Sequence, residues 1–167
     1  DALPIWQVQA ELPYFEEKIA TFELAEVMAG RQSAERSREK IPLIHEALVT
    51  GIRDYFGKLG FRRAILGLSG GIDSAVVAVL AARALGPENV RCVLMPSQFS
   101  SDHSVNDARQ LAENLGTQYD IIPIAEIYAS FGQALKPHFW GQPFGLAEEN
   151  IQSRARGILL MALSNKY

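Results

Sequence analysis

Residues 64–85 read AILGL, then SGGIDS, then AVVAVLAARAL, and this stretch decides the fold. The opening run, Ala64 to Leu68, is apolar, β-favouring and as long as a buried strand. The closing run is rich in Ala, Val and Leu and long enough for a buried helix. Ser69, Gly70, Gly71, Ile72, Asp73 and Ser74 form the turn between them. A strand that feeds a helix through glycines leaves unpaired backbone N–H groups at the helix start. Those donors and the positive end of the helix dipole make an anion site that a phosphate can approach closely.

The wording of the loop narrows its use. It is not GxxxxGK[ST], because no Lys follows, and it is not GxGxxG. A plain strand–helix turn would need only Asp73 or Ser74 as an N-cap, not both glycines and both serines. Five fixed letters recur by chance in a chain this long with odds of about 2 in 10,000. SGGxDS resembles the pyrophosphate loop of the ATP pyrophosphatases (PP-loop enzymes), which split ATP into AMP and pyrophosphate. Asp73 is the first charged residue at the helix start. A carboxylate repels a triphosphate unless a divalent cation lies between them. Magnesium binds through one or two carboxylates plus phosphate oxygens, so Asp73 is read as the Mg²⁺ ligand. The Ser69 and Ser74 hydroxyls are read as donors to phosphate.

Outward from the loop, apolar residues at Ile44, Leu48, Ile52, Tyr55, Phe56 and Leu59 predict a helix over 42–59 that stops at Gly60. Downstream, VRCVLMP (90–96) reads as a second buried strand, and a serine-rich loop leads to a helix over about 105–115. A third strand is expected at 119–124, a helix at 125–135, an aromatic and glycine-bearing loop at 139–145, and a last helix from about 146 to 164. The unalternated apolar strands and the β-α-β-α-β-α order predict a three-layer α/β/α domain on a parallel sheet, Rossmann-like. Its ligand belongs at the C-terminal ends of the strands. Residues 1–40, with Pro4, Trp6, Pro13, Tyr14 and the polar run RQSAERSREK, read as an arm or linker, and 41–167 as the domain. The sheet looks unfinished at its C-terminal side.

The 167 residues suffice for one domain, and 48% hydrophobic with 21% charged residues is ordinary for a globular protein. A net charge of −3 gives no nucleic-acid surface. No apolar run spans a bilayer, and no signal peptide opens the chain. It begins at Asp1, so a longer parent is expected. The single Cys92 lies in an apolar run and reads as a core residue, which fits a reducing cytoplasm. His45, His103 and His138 have no zinc-like spacing with it.

The last helix carries LAEENIQSRARGILLMALSNKY. Ile151, Ala155, Ile158, Leu159 and Ala162 are spaced as its buried stripe. Asn150 and Arg154, four apart, share a face and can offer an amide and a guanidinium to a polar ligand. Arg156 points nearly the opposite way. On spacing alone, the favoured reading of Arg154 is a surface partner of Glu148 or Glu149.

Taken together, ALVTGIRDYFGKLGFRRAILGLSGGIDSA, VLMPSQFSSDHS and LAEENIQSRARGILLMALSN resemble the synthetase domain of glutamine-dependent NAD synthetases, over about residues 47–167. That resemblance implies an adenine nucleotide α-hydrolase-like fold. It implies ATP contacts at Gly67, Leu68, Ser69, Gly70, Gly71, Ile72, Asp73 and Ser74, magnesium at Asp73, and adenosine flanked by Met95, Pro96 and Ser97. It places deamido-NAD at Asn150 and Arg154, with ammonia drawn from glutamine, and a homodimer formed through the last helix. Family members adenylate the deamido-NAD carboxylate and let ammonia displace AMP. Two parts of the family pattern do not occur here: the upstream glutaminase domain, and the strand and loop after SNKY that carry a second magnesium carboxylate. The chain is therefore expected to be a fragment, C-terminally incomplete and inactive alone. Competing readings are another PP-loop enzyme, GMP synthetase-like or tRNA-modifying, and a non-catalytic nucleotide-binding or dimerisation module.

Overall fold

The structure is a computed structural model that describes residues 11–29, 39–139 and 141–167. Pro4, Trp6 and most of the polar run at 31–40 lie outside the described residues. The contacts divide the chain into two units, Asp1–Thr50 and Gly51–Tyr167. The first contains a short helix, α1 (Leu24–Met28), and the start of α2 (Lys40–Leu59), which continues into the second.

The second unit is built on three strands, β1 (Ala64–Gly67), β2 (Val90–Leu94) and β3 (Gln118–Ile121). They are parallel and ordered β1-β2-β3, with Leu66 opposite Cys92 and Cys92 opposite Tyr119. Helices α3 (Ile72–Leu85) and α4 (Asp102–Leu115) connect them, and α5 (Ala125–Phe139) and α6 (Leu146–Lys166) follow. Parallel pairing requires such crossovers; α3 and α4 cover one sheet face and α6 the other.

Period-2 alternation along β2 sends its side chains into two cores. Val90, Cys92 and Leu94 face α3 and α4, where they meet Ala78, Ala81, Ala108 and Ala112. The small alanines let both helices lie close to the sheet. Val93 faces the other way, with Met95 and Ile124, against Leu159, Leu160 and Leu163 of α6. The three-layer α/β/α architecture follows. Cys92 is fully buried, as its apolar setting predicts, and burial pushes its thiol pKa up.

Three local expectations shift. The stripe of α6 that meets the sheet is Ala155, Leu159, Leu160 and Leu163, whereas Ile158, Met161 and Ala162 are exposed. The helix is rolled because its sheet-facing neighbours, Gly67 and Met95, admit the Leu160 methyl group. Strand β3 ends at Ile121, although the Ile122 and Ile124 N–H groups still bond to Leu94 and Pro96 carbonyls. These are consecutive rungs of a parallel ladder, so the pairing with β2 persists beyond the strand's end, and Pro123, between them, supplies no N–H to the far side. Helix α5 continues through Pro137 to Phe139 and ends two residues after the proline, which supplies no N–H to the last turn.

Candidate functional site

Strand β1 and strand β2 separate at their C-terminal ends. The ladder runs as far as the Leu68 N–H, which donates to the Val93 carbonyl at 3.0 Å. Beyond it the chain turns at Gly70, whose φ of +84° suits glycine. A Cβ there would overlap the Ser104 carbonyl in the first turn of α4, so only glycine lets that helix back the loop.

The loop is held by its own hydroxyls. Ser74 Oγ donates to the Gly71 carbonyl at 2.9 Å and accepts from the Ser69 N–H at 3.2 Å. With its one proton spent, it must accept from Ser69 Oγ, 3.0 Å away. Ser69 Oγ in turn accepts from the Gly71 N–H at 3.2 Å. Both serines expected to bind phosphate thus make their hydroxyl hydrogen bonds within the loop. Gly71 is the N-cap of α3, and no side chain caps the helix. The N–H groups of its first turn therefore keep the positive end of the dipole without a side-chain cap. Asp73 sits in that turn and is exposed.

Beside the loop lies a cavity of about 390 Å³, lined among others by Gly67, Leu68, Ser69, Met95, Pro96 and Arg156. Five of the sequence-predicted residues thus meet around one space. Gly70, Gly71, Ile72, Asp73 and Ser74 continue from its rim without lining it. Ser97 also lies outside the lining; its hydroxyl accepts from the Phe99 N–H at 3.3 Å, and its own N–H donates to Ser100 Oγ at 3.0 Å. Asn150 and Arg154 stand on an exposed face of α6, away from this cavity. Glu148 accepts from the Gly145 N–H at 2.8 Å and so caps α6 rather than pairing with Arg154.

Two features escaped the sequence reading. Ser100 and Ser104 line the cavity from the α4 side, and Arg156 lines it from α6. Arg156 Nε donates to the Met95 carbonyl at 3.1 Å. A signal for Arg156 existed: it lies three, four and seven residues before Leu159, Leu160 and Leu163, on the sheet-facing stripe.

Residues 44–167 match the NAD synthase family. The chain belongs to that family. A glutamine-dependent NAD(+) synthetase of Synechocystis is 51% identical over 158 residues, covering 93% of this chain but 28% of the relative. Among solved structures, the glutamine-dependent NAD+ synthetase of Acinetobacter baumannii, in complex with ADP, aligns with a TM-score of 0.78. It is 45% identical, over 81% of this chain and 26% of the other. The NH3-dependent NAD synthetase of Campylobacter jejuni, in complex with the nitrate ion, aligns with a TM-score of 0.63 and 36% identity. That match covers 73% of this chain and 51% of the other. This NAD synthase chain thus spans less than a third of the glutamine-dependent relatives described here.

The residues present also fit the magnesium expected of an NAD synthase. Among the described residues no cluster of three or more His, Cys, Asp or Glu forms a metal cage. A single carboxylate on the exposed first turn, next to the glycine loop, is a donor set that Mg²⁺ can use when phosphate and water supply the rest.

Proposed function

We propose that this chain is the nucleotide-binding half of an NAD synthetase that amidates deamido-NAD at the expense of ATP. One observation carries the reading: an uncapped helix N-terminus, entered through Gly70 and Gly71 and bearing Asp73, stands where β1 and β2 diverge. Residues 41–167 belong to the synthetase domain, and 1–40 form the arm that leads into it.

The Ser69–Ser74 loop holds the pyrophosphoryl group through the backbone N–H groups of the first turn of α3, while the Ser69 and Gly71 N–H groups brace the loop itself. Asp73 holds Mg²⁺, which when bound neutralises charge on the departing pyrophosphate. Met95, Pro96 and Ser97 border the adenosine. Asn150 and Arg154 hold deamido-NAD from the exposed face of α6; Arg154 has no ion-pair partner among the described residues. The substrate carboxylate is ionised at neutral pH and attacks the α-phosphorus, and the bond to the bridging oxygen breaks. Ammonia then attacks the acyl carbon, and AMP leaves with the carboxylate oxygen. The protein contributes alignment and charge neutralisation, and no nucleophilic side chain is needed. Glutamine is the proposed nitrogen source, since the 51% identical relative is glutamine-dependent. The buried, unpaired Cys92 suits a cytoplasmic enzyme. The exposed Ile158 and Met161 form a surface on which a second copy packs.

Isothermal titration with Mg·ATP and with pyrophosphate tests the site. Wild type should bind both, and Gly71→Val, which closes the approach to the loop, should bind neither. Equal binding by the two proteins would remove the loop from the site. NAD formation from deamido-NAD, ATP and ammonium by the protein of which these residues are part tests the reaction.

A further inference from the structure

In a parallel ladder, successive rungs from one strand are two residues apart. After the rung from the Leu68 N–H to the Val93 carbonyl, the next would run from the Gly70 N–H to the Met95 carbonyl. That rung is absent, because Gly70 has already turned into the loop. The neighbouring carbonyls of Leu94 and Pro96 point to the other side and accept from Ile122 and Ile124. Met95 therefore presents its carbonyl to the opening crevice, where a buried acceptor needs a donor. Arg156 Nε supplies it at 3.1 Å. The side chain stands in for the strand that has peeled away.

This bond uses one of the five guanidinium N–H donors. Among the described residues, Arg156 has no ion pair and no other hydrogen bond, and it lines the cavity together with Ser69. Burial without a counter-charge also pushes its pKa down, the signature of a cation short of an anion. We propose that Arg156 is a phosphate-binding residue, clamped by the Met95 carbonyl and directing its Nη groups at the phosphate oxygens of the nucleotide held by the Ser69–Ser74 loop. This rests on the proposed ATP site and adds to it a fixed cation from a third element, α6. Charge-assisted, forked bonds from a guanidinium suit phosphate oxygens.

Two variants separate binding from mere propping. In Arg156→Gln, the amide nitrogen occupies the position of Nε, so the bond to Met95 survives and the charge goes. Arg156→Lys keeps the charge and loses the Nε donor. Pyrophosphate titrations should then show Arg156→Gln weakened at least about tenfold and Arg156→Lys weakened less. Adenosine, followed by nuclear magnetic resonance shifts, should bind all three proteins alike. The opposite order, with the Gln variant binding pyrophosphate like wild type, would reduce Arg156 to a prop and overturn the proposal. The Gly71→Val variant guards the underlying reading. If it loses pyrophosphate while Arg156→Gln does not, only the role of Arg156 falls. If wild type takes up no pyrophosphate, both fall.

Discussion

The two ends of the sheet carry cavities of opposite character. At the N-terminal ends of the strands lies the larger one, about 1030 Å³, lined among others by Arg62, Arg63, Arg91 and Tyr167. The smaller, about 390 Å³, lies at the C-terminal ends beside the glycine loop. Volume and a count of arginines would select the first. Yet Arg91 is already matched: it makes a two-pronged ion pair with Asp120, Nη2 to Oδ1 at 2.9 Å, and its guanidinium lies 4.8 Å from the Tyr167 ring centre. The Asp120 bond pushes the Arg91 pKa up and holds the Asp120 carboxyl below its ordinary value. Arg156 shifts the other way, because burial removes water and no carboxylate replaces it. Arg62 and Arg63 also line the larger cavity, but only the smaller one sets a half-buried, unpaired guanidinium beside a glycine loop at a helix start.

The largest expected effect tests the loop itself. Gly70→Ala should destabilise the protein by roughly 2–4 kcal/mol, from left-handed strain plus overlap with the Ser104 carbonyl. It should also abolish pyrophosphate binding, whereas Arg63→Ala at the other end should leave that binding intact. Thermal denaturation and titration check both, and a Gly70→Ala protein that binds like wild type would erase the contrast between the two ends.

Asp73→Asn should act more selectively. The gain in ATP affinity on adding Mg²⁺ should shrink at least about tenfold, while metal-free pyrophosphate should bind as well or better once the carboxylate charge is gone. A magnesium effect left at full size would move the metal to another residue.

The smallest effect belongs to the other end. Asp120→Asn should lower the denaturation midpoint slightly and leave pyrophosphate affinity unchanged. Arg91 depresses the folded pKa of Asp120, so the lost stabilisation is fully present above the unfolded value, about 4, and disappears as pH falls through the folded value. The gap between variant and wild type should thus be constant from pH 5 to 7 and close in more acidic solution. A gap that persists there would mean that packing, not charge, links Arg91 to Asp120.

Sequence alone determined the strand, loop and helix at 64–85, and with them the parallel α/β/α layering. Those features are local: an unalternated apolar run has only buried-strand or buried-helix solutions, and two glycines before Ile72 mark the turn. Gly67, Leu68, Ser69, Met95 and Pro96 were named through the family resemblance, and they line one cavity because parallel strands align their C-terminal ends. Tertiary structure alone decided the rest. The roll of α6 depends on which side chains fit Gly67 and Met95, so periodicity identified the helix but misplaced its stripe. The two serines of the loop bind each other because the six-residue turn from Ser69 to Ser74 brings them together, which residue type does not reveal. Arg156 reaches the crevice only because β1 leaves the ladder one rung early, and an orphaned carbonyl is a property of two strands and a helix at once.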